Sequence, residues 1–294
     1  SFSALQRPAV LVDELQDQGY QLGLFSSATM YRPVVLDRTA FAKVPDLRIV
    51  TEPASDPAWK RDAKLTQEWF QWLDARDPDR PFFGFLFYDS ALGKSVPPDY
   101  PVRFEAEGDS EQAENFAVYR SAVHYTDSVI GRVLDDLEIR GLTQNTVVLF
   151  TADHGEEFGE SGVKLDKHGS GYTRHQLVTP MILAWPGRDA GVVHQHRTSH
   201  YDISPTLMED LLGCTNPAED YAVGHNLFER REWGWMVAGS SYNYAVLEPD
   251  QVTVTFPTGL YEVRDWDYRL SRNPEFRGDV LEAVSEQNAR YYRN

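Results

Sequence analysis

The sequence predicts an α/β layered domain with a mostly parallel sheet, followed by a small antiparallel C-terminal subdomain. Apolar strand-like runs alternate with helical patterns up to about residue 215, which is typical of strands joined by helical crossovers. From about Arg231 onwards, apolar and polar residues alternate within short runs that are separated by Gly, Asn, Pro and Asp. The change in pattern predicts two regions, an α/β core at 1–230 and an antiparallel subdomain at 231–294.

The elements of the predicted core follow one another as helix and strand. A helix near the start ends at Gly19, and short apolar strands follow at 22–25 and 82–88, with a tryptophan-rich helix at 64–75 between them. The clearest helix spans 111–140 and ends before Gly141. Its predicted buried face consists of Phe116, Tyr119, Val123, Ile130, Val133, Leu134 and Leu137.

The remaining elements complete the core and form the subdomain. The β-branched run NTVVLFTADHG predicts a buried strand, and a second strand at 181–185 leads to a helix at 204–212. The later runs EWGWMVAGS, YNYAVLE, QVTVTFP and LYEVRD predict a meander of antiparallel strands, and a helix at 278–290 closes the chain.

Composition excludes several classes of protein. The formal net charge of −17 over 294 residues disfavours nucleic acid as a partner, because phosphate backbones are bound by clustered lysine and arginine. A single cysteine, Cys214, excludes an internal disulfide framework and a cysteine-rich zinc site. No apolar run approaches the ~20 residues of a membrane-spanning helix, so we expect any anchor to lie outside this sequence.

Chemistry-bearing residues are concentrated in TADHGEEFGESGVKLDKHG, residues 151–169. Asp153 and His154 come directly after the predicted strand, and ligands collect at the carboxyl ends of parallel strands. A carboxylate beside an imidazole suits Zn²⁺ or Mn²⁺, and His168 returns after an acidic loop. Two ligands do not make a site, however, and the alternative is an aspartate that caps a helix beside a surface histidine.

Four longer segments resemble the sulfatase-like branch of the alkaline phosphatase superfamily. They are YRSAVHYTDSVIGRVLDDLEIRGLTQNTVVLFTADHGEEFGE, HGSGYTRHQLVTPMILAWPG, TSHYDISPTLMEDLLGC and LQDQGYQLGLFSS. Within that branch, QDQGYQLGLFSS and VGHNLFERREW look most similar to the YejM/PbgA type, the inner-membrane sulfatase-like proteins of Gram-negative bacteria. The resemblance implies a periplasmic domain that follows N-terminal transmembrane helices and takes part in lipopolysaccharide and outer-membrane lipid homeostasis.

The resemblance also implies roles for individual residues. Asp153 and His154 would be ligands of a divalent metal, Zn, Mn or Mg, in the intact protein. His168 would contact the transferred phosphoryl group, as in the similar loop of phosphoethanolamine transferases. The sulfatase pattern prefers a lysine where this chain has Ser170, which argues against sulfate esters.

Three further residues are lesser candidates. His200 belongs to a segment that resembles the H-x-D helix of the branch, where a catalytic role and a structural role are both open. Lys164 and Lys167 could supply positive charge to an anionic substrate, or they could be solvated loop lysines.

The family's nucleophile and first metal-binding acid lie upstream of the segment with which this chain begins. Ser26, Ser27 and Thr29 follow the second strand of the family pattern and match neither. We therefore expect an N-terminally truncated fold that lacks a complete active site by itself and holds metal weakly or not at all.

Two hypotheses for the intact protein remain open. One is a metal-dependent phosphoric ester hydrolase or transferase that acts on an anionic lipid or another phosphate ester. The other is a non-catalytic module that senses lipid or binds an envelope protein partner.

Overall fold

The computed structural model describes residues 9–31, 35–163, 165, 167–240, 242–275 and 277–289. The described residues within 1–143 and 200–226 form one compact unit, and those within 144–199 and 227–294 form a second. The helices and strands follow in the order α1 Val10–Asp17, β1 Gln21–Ser26, α2 Ala58–Ala75, β2 Phe82–Phe87, α3 Glu111–Ile139, β3 Val148–Thr151, α4 Arg174–Leu177, β4 Met181–Ala184, α5 Ile203–Asp210, β5 Met236–Gly239, β6 Tyr244–Leu247, β7 Val252–Thr255, β8 Tyr261–Arg264 and α6 Gly278–Ala289.

The first unit is built on a parallel pair of strands with a helical crossover. β1 pairs with β2 from Gln21 opposite Phe82 to Ser26 opposite Phe87, and α2 connects the two strands. The indole of Trp69 on α2 is buried, and a Cβ added to Gly84 would lie 2.6 Å from it. The missing side chain therefore lets the helix lie close against the strands.

Two charged residues of α2, Arg61 and Asp62, form hydrogen bonds at the carboxyl ends of these strands. Arg61 donates to the Ser27 carbonyl at 2.8 Å and to the Asp89 carboxylate at 2.7 Å. The buried Asp62 accepts from the backbone N–H groups of Asp89 at 3.0 Å and Ser90 at 2.9 Å. The first turns of α2 thereby supply hydrogen-bond partners for backbone groups that lie just beyond the ends of β1 and β2.

The buried face of α3 differs from the one that the sequence predicts. Of the predicted positions Leu137 is buried, Tyr119, Ile130 and Val133 are half-buried, and Phe116, Val123 and Leu134 are exposed. The other buried positions of the helix are Ala117, Ser121, Ala122, Tyr125 and Val129. α3 packs against α2, and Tyr125 donates to the Trp59 carbonyl at 3.0 Å.

The second unit contains two antiparallel sheets. β3 pairs with β4 in antiparallel fashion, whereas the alternation of strands and helices predicts parallel neighbours. The connection between them carries only the four-residue α4, which is too short for a crossover helix. β5 to β8 form the predicted meander in sequential order, so the antiparallel C-terminal sheet is confirmed.

The compact units do not coincide with the predicted regions 1–230 and 231–294, because residues 144–199 are grouped with the meander. The predicted boundary near residue 230 therefore stays a prediction. Among the residues that the structure describes, no helix combines the length and the apolar character needed to cross a bilayer.

Substitution of Gly84 tests the close contact between α2 and the parallel strands. Gly84→Ala should lower the free energy of unfolding by about 1–3 kcal/mol, because its methyl group would overlap the Trp69 ring. Gly131 on α3 has no atom within 4 Å of an added Cβ, so Gly131→Ala should raise stability by up to about 1 kcal/mol. Urea denaturation measures both, and equal stability of the two variants would contradict the contact.

Candidate metal centre

The loop that follows β3 is anchored to α4 through its backbone. The Gly155 N–H donates to the Gln176 carbonyl at 2.8 Å. A Cβ added to Gly155 would lie 2.1 Å from the His175 carbonyl oxygen, so no other residue fits without moving the main chain. The neighbouring His154 is therefore held at a set distance from α4.

A short antiparallel bridge brings the two ends of the loop together. Glu157 and Lys167 exchange backbone hydrogen bonds, with N···O distances of 2.8 and 3.1 Å. In an antiparallel pairing this places Glu156 opposite His168. The His168 Nδ1 atom lies 2.7 Å from the Glu156 carboxylate, which itself is almost fully covered.

Three donor groups converge at this bridge. One ligand atom from each of His154, Glu156 and His168 lies within 4.8 Å of the other two, and all three residues are half-buried. The two imidazole rings stack with centroids 4.2 Å apart and planes 21° apart. Two imidazoles and a carboxylate are a donor set that suits Zn²⁺ or Mn²⁺. The residues present therefore fit a divalent metal of the kind that the sequence predicts.

A backbone hydrogen bond sets the tautomer of His154. Its Nδ1 atom lies 2.8 Å from the Gly155 carbonyl oxygen, which can only accept. The proton therefore lies on Nδ1, and Nε2 keeps its lone pair for a metal.

The predicted ligand Asp153 lies outside the cluster. Its side chain is 56% exposed, accepts from the His154 backbone N–H at 3.0 Å and lies 3.7 Å from His154 Nε2. Glu156 is instead the third member of the cluster. Its position depends on the pairing of Glu157 with Lys167, which no local pattern indicates.

The buried carboxylate of Glu157 joins parts of the loop through hydrogen bonds. Glu157 is 1% exposed and accepts hydrogen bonds from the Ser161 hydroxyl, from Thr173 Oγ1 at 2.7 Å and from Gln176 Nε2 at 3.1 Å. Burial alone would raise the pKa of the Glu157 carboxyl, but these hydrogen bonds outweigh it and lower the pKa. Glu157 is therefore an ionised structural group beside the candidate centre.

The other predicted residues occupy different places. His200 begins a single 3₁₀ turn, His200–Asp202, in the first compact unit, whereas the cluster belongs to the second. Lys164 lies outside the described residues. Lys167 is exposed and contributes its backbone to the bridge, and Ser170 accepts at its hydroxyl from Gln176 Nε2 at 3.1 Å.

Comparison with known proteins gives consistent matches. A sequence model of the family described as Sulfatase matches residues 3–213. The "Inner membrane protein YejM" of Salmonella typhimurium (strain LT2) is 27% identical over 293 residues, which cover 98% of this chain and 44% of that protein. An uncharacterized protein of Haemophilus influenzae is 27% identical over 95% of this chain and 42% of its own length. The chain thus spans less than half the length of these curated relatives and matches the C-terminal part of the YejM proteins.

Two solved structures share the fold of this chain. The phosphonate monoester hydrolase of Agrobacterium radiobacter superposes with a TM-score of 0.65 at 17% identity, over 95% of this chain and 79% of that one. A protein in the alkaline phosphatase superfamily from Vibrio parahaemolyticus gives 0.63 at 19% identity, over 100% of this chain and 71% of that one. The sulfatase-like α/β fold that the sequence predicts is thereby confirmed.

Replacement of Glu157 tests the buried carboxylate. Glu157→Gln should lower the free energy of unfolding at pH 7 by about 1–3 kcal/mol, because its amide N–H₂ would face other donors. The pKa of Glu157 in the folded chain is lowered from its ordinary value of 4.5. The stabilisation that the carboxylate contributes is therefore present above pH 4.5 and is lost as the pH falls through the folded-state pKa. The difference between the variant and the unaltered chain should therefore shrink below pH 4.5 in urea titrations.

The control for this variant is Glu160→Gln in the same loop. Glu160 is exposed, and within the described part of the chain its carboxylate accepts from the Phe158 backbone N–H at 2.6 Å, so its replacement should change stability by less than about 0.5 kcal/mol. Equal losses in the two variants would show that the buried position of Glu157 has no special effect.

Proposed function

The chain belongs to the sulfatase family, and from this membership we propose that it is the periplasmic domain of a Gram-negative inner-membrane protein that cleaves or transfers phosphate esters with a bound divalent metal. The cluster of His154, Glu156 and His168 is the observation that carries the proposal. The relatives named as inner membrane protein YejM support the location, and the phosphonate monoester hydrolase with a similar fold supports chemistry at phosphorus.

His154, Glu156 and His168 would hold the metal, which is Zn, Mn or Mg. When bound, such an ion supplies positive charge that stabilises the developing negative charge on phosphoryl oxygens and lowers the pKa of a nucleophile. Asp153 remains a predicted ligand from the family resemblance, and its exposed carboxylate stands beside His154.

Groups of the protein itself orient the two imidazole rings. The Gly155 carbonyl holds the His154 ring, and the Glu156 carboxylate holds the His168 ring through Nδ1. With its Nδ1 proton directed at Glu156, His168 offers Nε2 either as a metal ligand or, when protonated, as a donor to a phosphoryl oxygen. The second role is the phosphoryl contact that the sequence predicts.

The physiological role that we propose follows the YejM-type relatives. The substrate would be an anionic lipid or another phosphate ester of the envelope, and the intact protein would act in lipopolysaccharide and outer-membrane lipid homeostasis. Ser170 supports phosphate over sulfate esters, since sulfatases prefer a lysine there.

A non-catalytic module that senses lipid or binds an envelope protein is the second candidate. The hydrogen bond of 2.7 Å between Glu156 and His168 favours it, because these two groups already satisfy each other without a metal. A regulatory protein could keep this pair as a structural contact.

Metal titration distinguishes the two sets of ligands. Glu156→Gln and His168→Ala should each weaken Zn²⁺ or Mn²⁺ binding by roughly 100-fold, because each removes one of three donors. Asp153→Asn should weaken it by only about threefold, since this carboxylate lies outside the cluster. Isothermal titration calorimetry on the metal-stripped chain gives the dissociation constants.

His124→Ala is the control for unspecific binding to imidazole, because His124 lies on α3 in the first unit and contacts Tyr100. A larger loss with Asp153→Asn than with Glu156→Gln would remove Glu156 from the site and restore the ligand pair predicted from the sequence.

Catalysis is tested on the chain extended upstream to the length of its relatives. We expect Mn²⁺- or Zn²⁺-dependent hydrolysis of p-nitrophenyl phosphate, at least about tenfold faster than that of the corresponding sulfate, and its loss in His154→Ala. Absence of turnover with Mn²⁺, Zn²⁺ and Mg²⁺ would favour the non-catalytic module, provided that circular dichroism shows a folded protein.

A further inference from the structure

A cleft of about 590 Å³ adjoins the candidate metal centre within the second compact unit. Its lining consists of Glu156, Arg174, His175, Val178, Arg197 and Trp266. Glu156 belongs to both the cleft and the metal cluster, so a molecule in the cleft lies next to the proposed reaction centre. Two arginines line this cleft on a chain whose net charge is −17.

Arg197 is the most distinctive residue of the cleft. Its guanidinium carbon lies 3.9 Å from the ring centroid of Trp233 and 4.7 Å from that of Trp266. The Trp266 indole N–H donates to the Glu248 carbonyl at 2.9 Å, which fixes that ring on the C-terminal sheet. Contacts to ring faces orient a guanidinium while its N–H groups, which lie in its plane, stay available to a ligand.

Arg197 also has no counter-ion among the described residues. Within the described ranges, no carboxylate lies within salt-bridge distance of its guanidinium, although most other arginines of the second unit have such a partner. A fixed, unpaired guanidinium in a cleft is suited to a bidentate contact with a phosphate or carboxylate group.

The other lining residues indicate what the ligand carries besides charge. Arg174 pairs with Asp267 at 3.5 Å, and both side chains are more than half exposed, so this cation is only weakly engaged. Val178 is 69% exposed and gives the cleft an apolar side. Together these residues fit an anion that is attached to an apolar group.

We propose that this cleft is a binding subsite for the phosphate group of an amphipathic phosphate ester, anchored by Arg197 between Trp233 and Trp266. The inference rests on the proposed function, since it names how the substrate of the adjoining centre is recognised. The phosphate group can belong to a lipid head group in a membrane or to a soluble ester. The contact requires no metal, so it is measurable apart from the reaction.

The test uses the metal-stripped chain and the probe phenyl phosphate, with binding followed by calorimetry. Arg197→Gln should weaken binding at least about tenfold, and Arg197→Lys should restore little of it, because lysine keeps the charge but loses the planar pair of contacts. Arg188→Gln is the matched control. Arg188 also lies over two aromatic rings, at 3.5 Å from Phe228 and 5.1 Å from Trp185, but it is not part of the cleft lining.

A second arm identifies the source of the phosphate group. Vesicles of phosphatidylglycerol and of phosphatidylcholine are compared in sedimentation assays, with Arg197→Gln and Arg188→Gln beside the unaltered chain. Arg197-dependent binding to phosphatidylglycerol alone indicates a lipid head group, and Arg197-dependent binding to phenyl phosphate alone indicates a soluble ester.

Failure of the subsite and failure of the proposed function give different results. If Arg197→Gln and Arg188→Gln bind both probes as the unaltered chain does, or if the unaltered chain binds neither, the subsite is excluded whatever the metal titrations show. Loss of metal binding and of turnover with intact Arg197-dependent binding would overturn the proposed reaction and leave an anion-binding module.

Discussion

The buried carboxylate of Glu157 is the interaction on which the arrangement of the candidate centre depends. It accepts hydrogen bonds from Ser161 within the loop and from Thr173 and Gln176, which follow the loop in the chain. Gln176 in turn accepts from the Ser170 and Gly171 backbone N–H groups at 3.3 and 3.2 Å. A buried charge is tolerated only when its hydrogen bonds are satisfied, so the loop can close only in a conformation that supplies these donors. The candidate ligands on either side of Glu157 are positioned by that requirement.

The antiparallel meander packs against this loop. Tyr172 is buried among Ala245, Leu247, Val252 and Val254, and its hydroxyl donates to the Asn243 carbonyl at 2.9 Å. Val163 and Leu165 pack against the same cluster. Apolar burial under the loop and polar bonds within it therefore act together. The C-terminal strands belong to the structure of the site, which explains why residues 144–199 group with them rather than with the parallel strands.

Much of the fold could be predicted from the sequence because its signals are local. The alternation in QVTVTFP and YNYAVLE reflects the period of a strand, and the meander follows from it. His154 and His168 could be named because both flank glycines in one loop, and the structure stacks their rings. Glu156 could not be singled out, since its place depends on the pairing of residues ten positions apart. The buried face of α3 likewise depends on tertiary packing, in which Ala117 and Ala122 are buried and Phe116 is exposed.

The hydrogen bond between the His154 ring and the Gly155 carbonyl has a consequence for how the centre can vary. In many metal sites the outer partner of a histidine is a carboxylate side chain, and exchanging it tunes the affinity for the ion. Here the partner is main chain, and the same residue admits no side chain because of the His175 carbonyl. No single amino-acid replacement can therefore adjust the basicity of this imidazole through that contact. If the centre holds a metal as proposed, variation in its preference would have to act through the other two candidate ligands, Glu156 and His168.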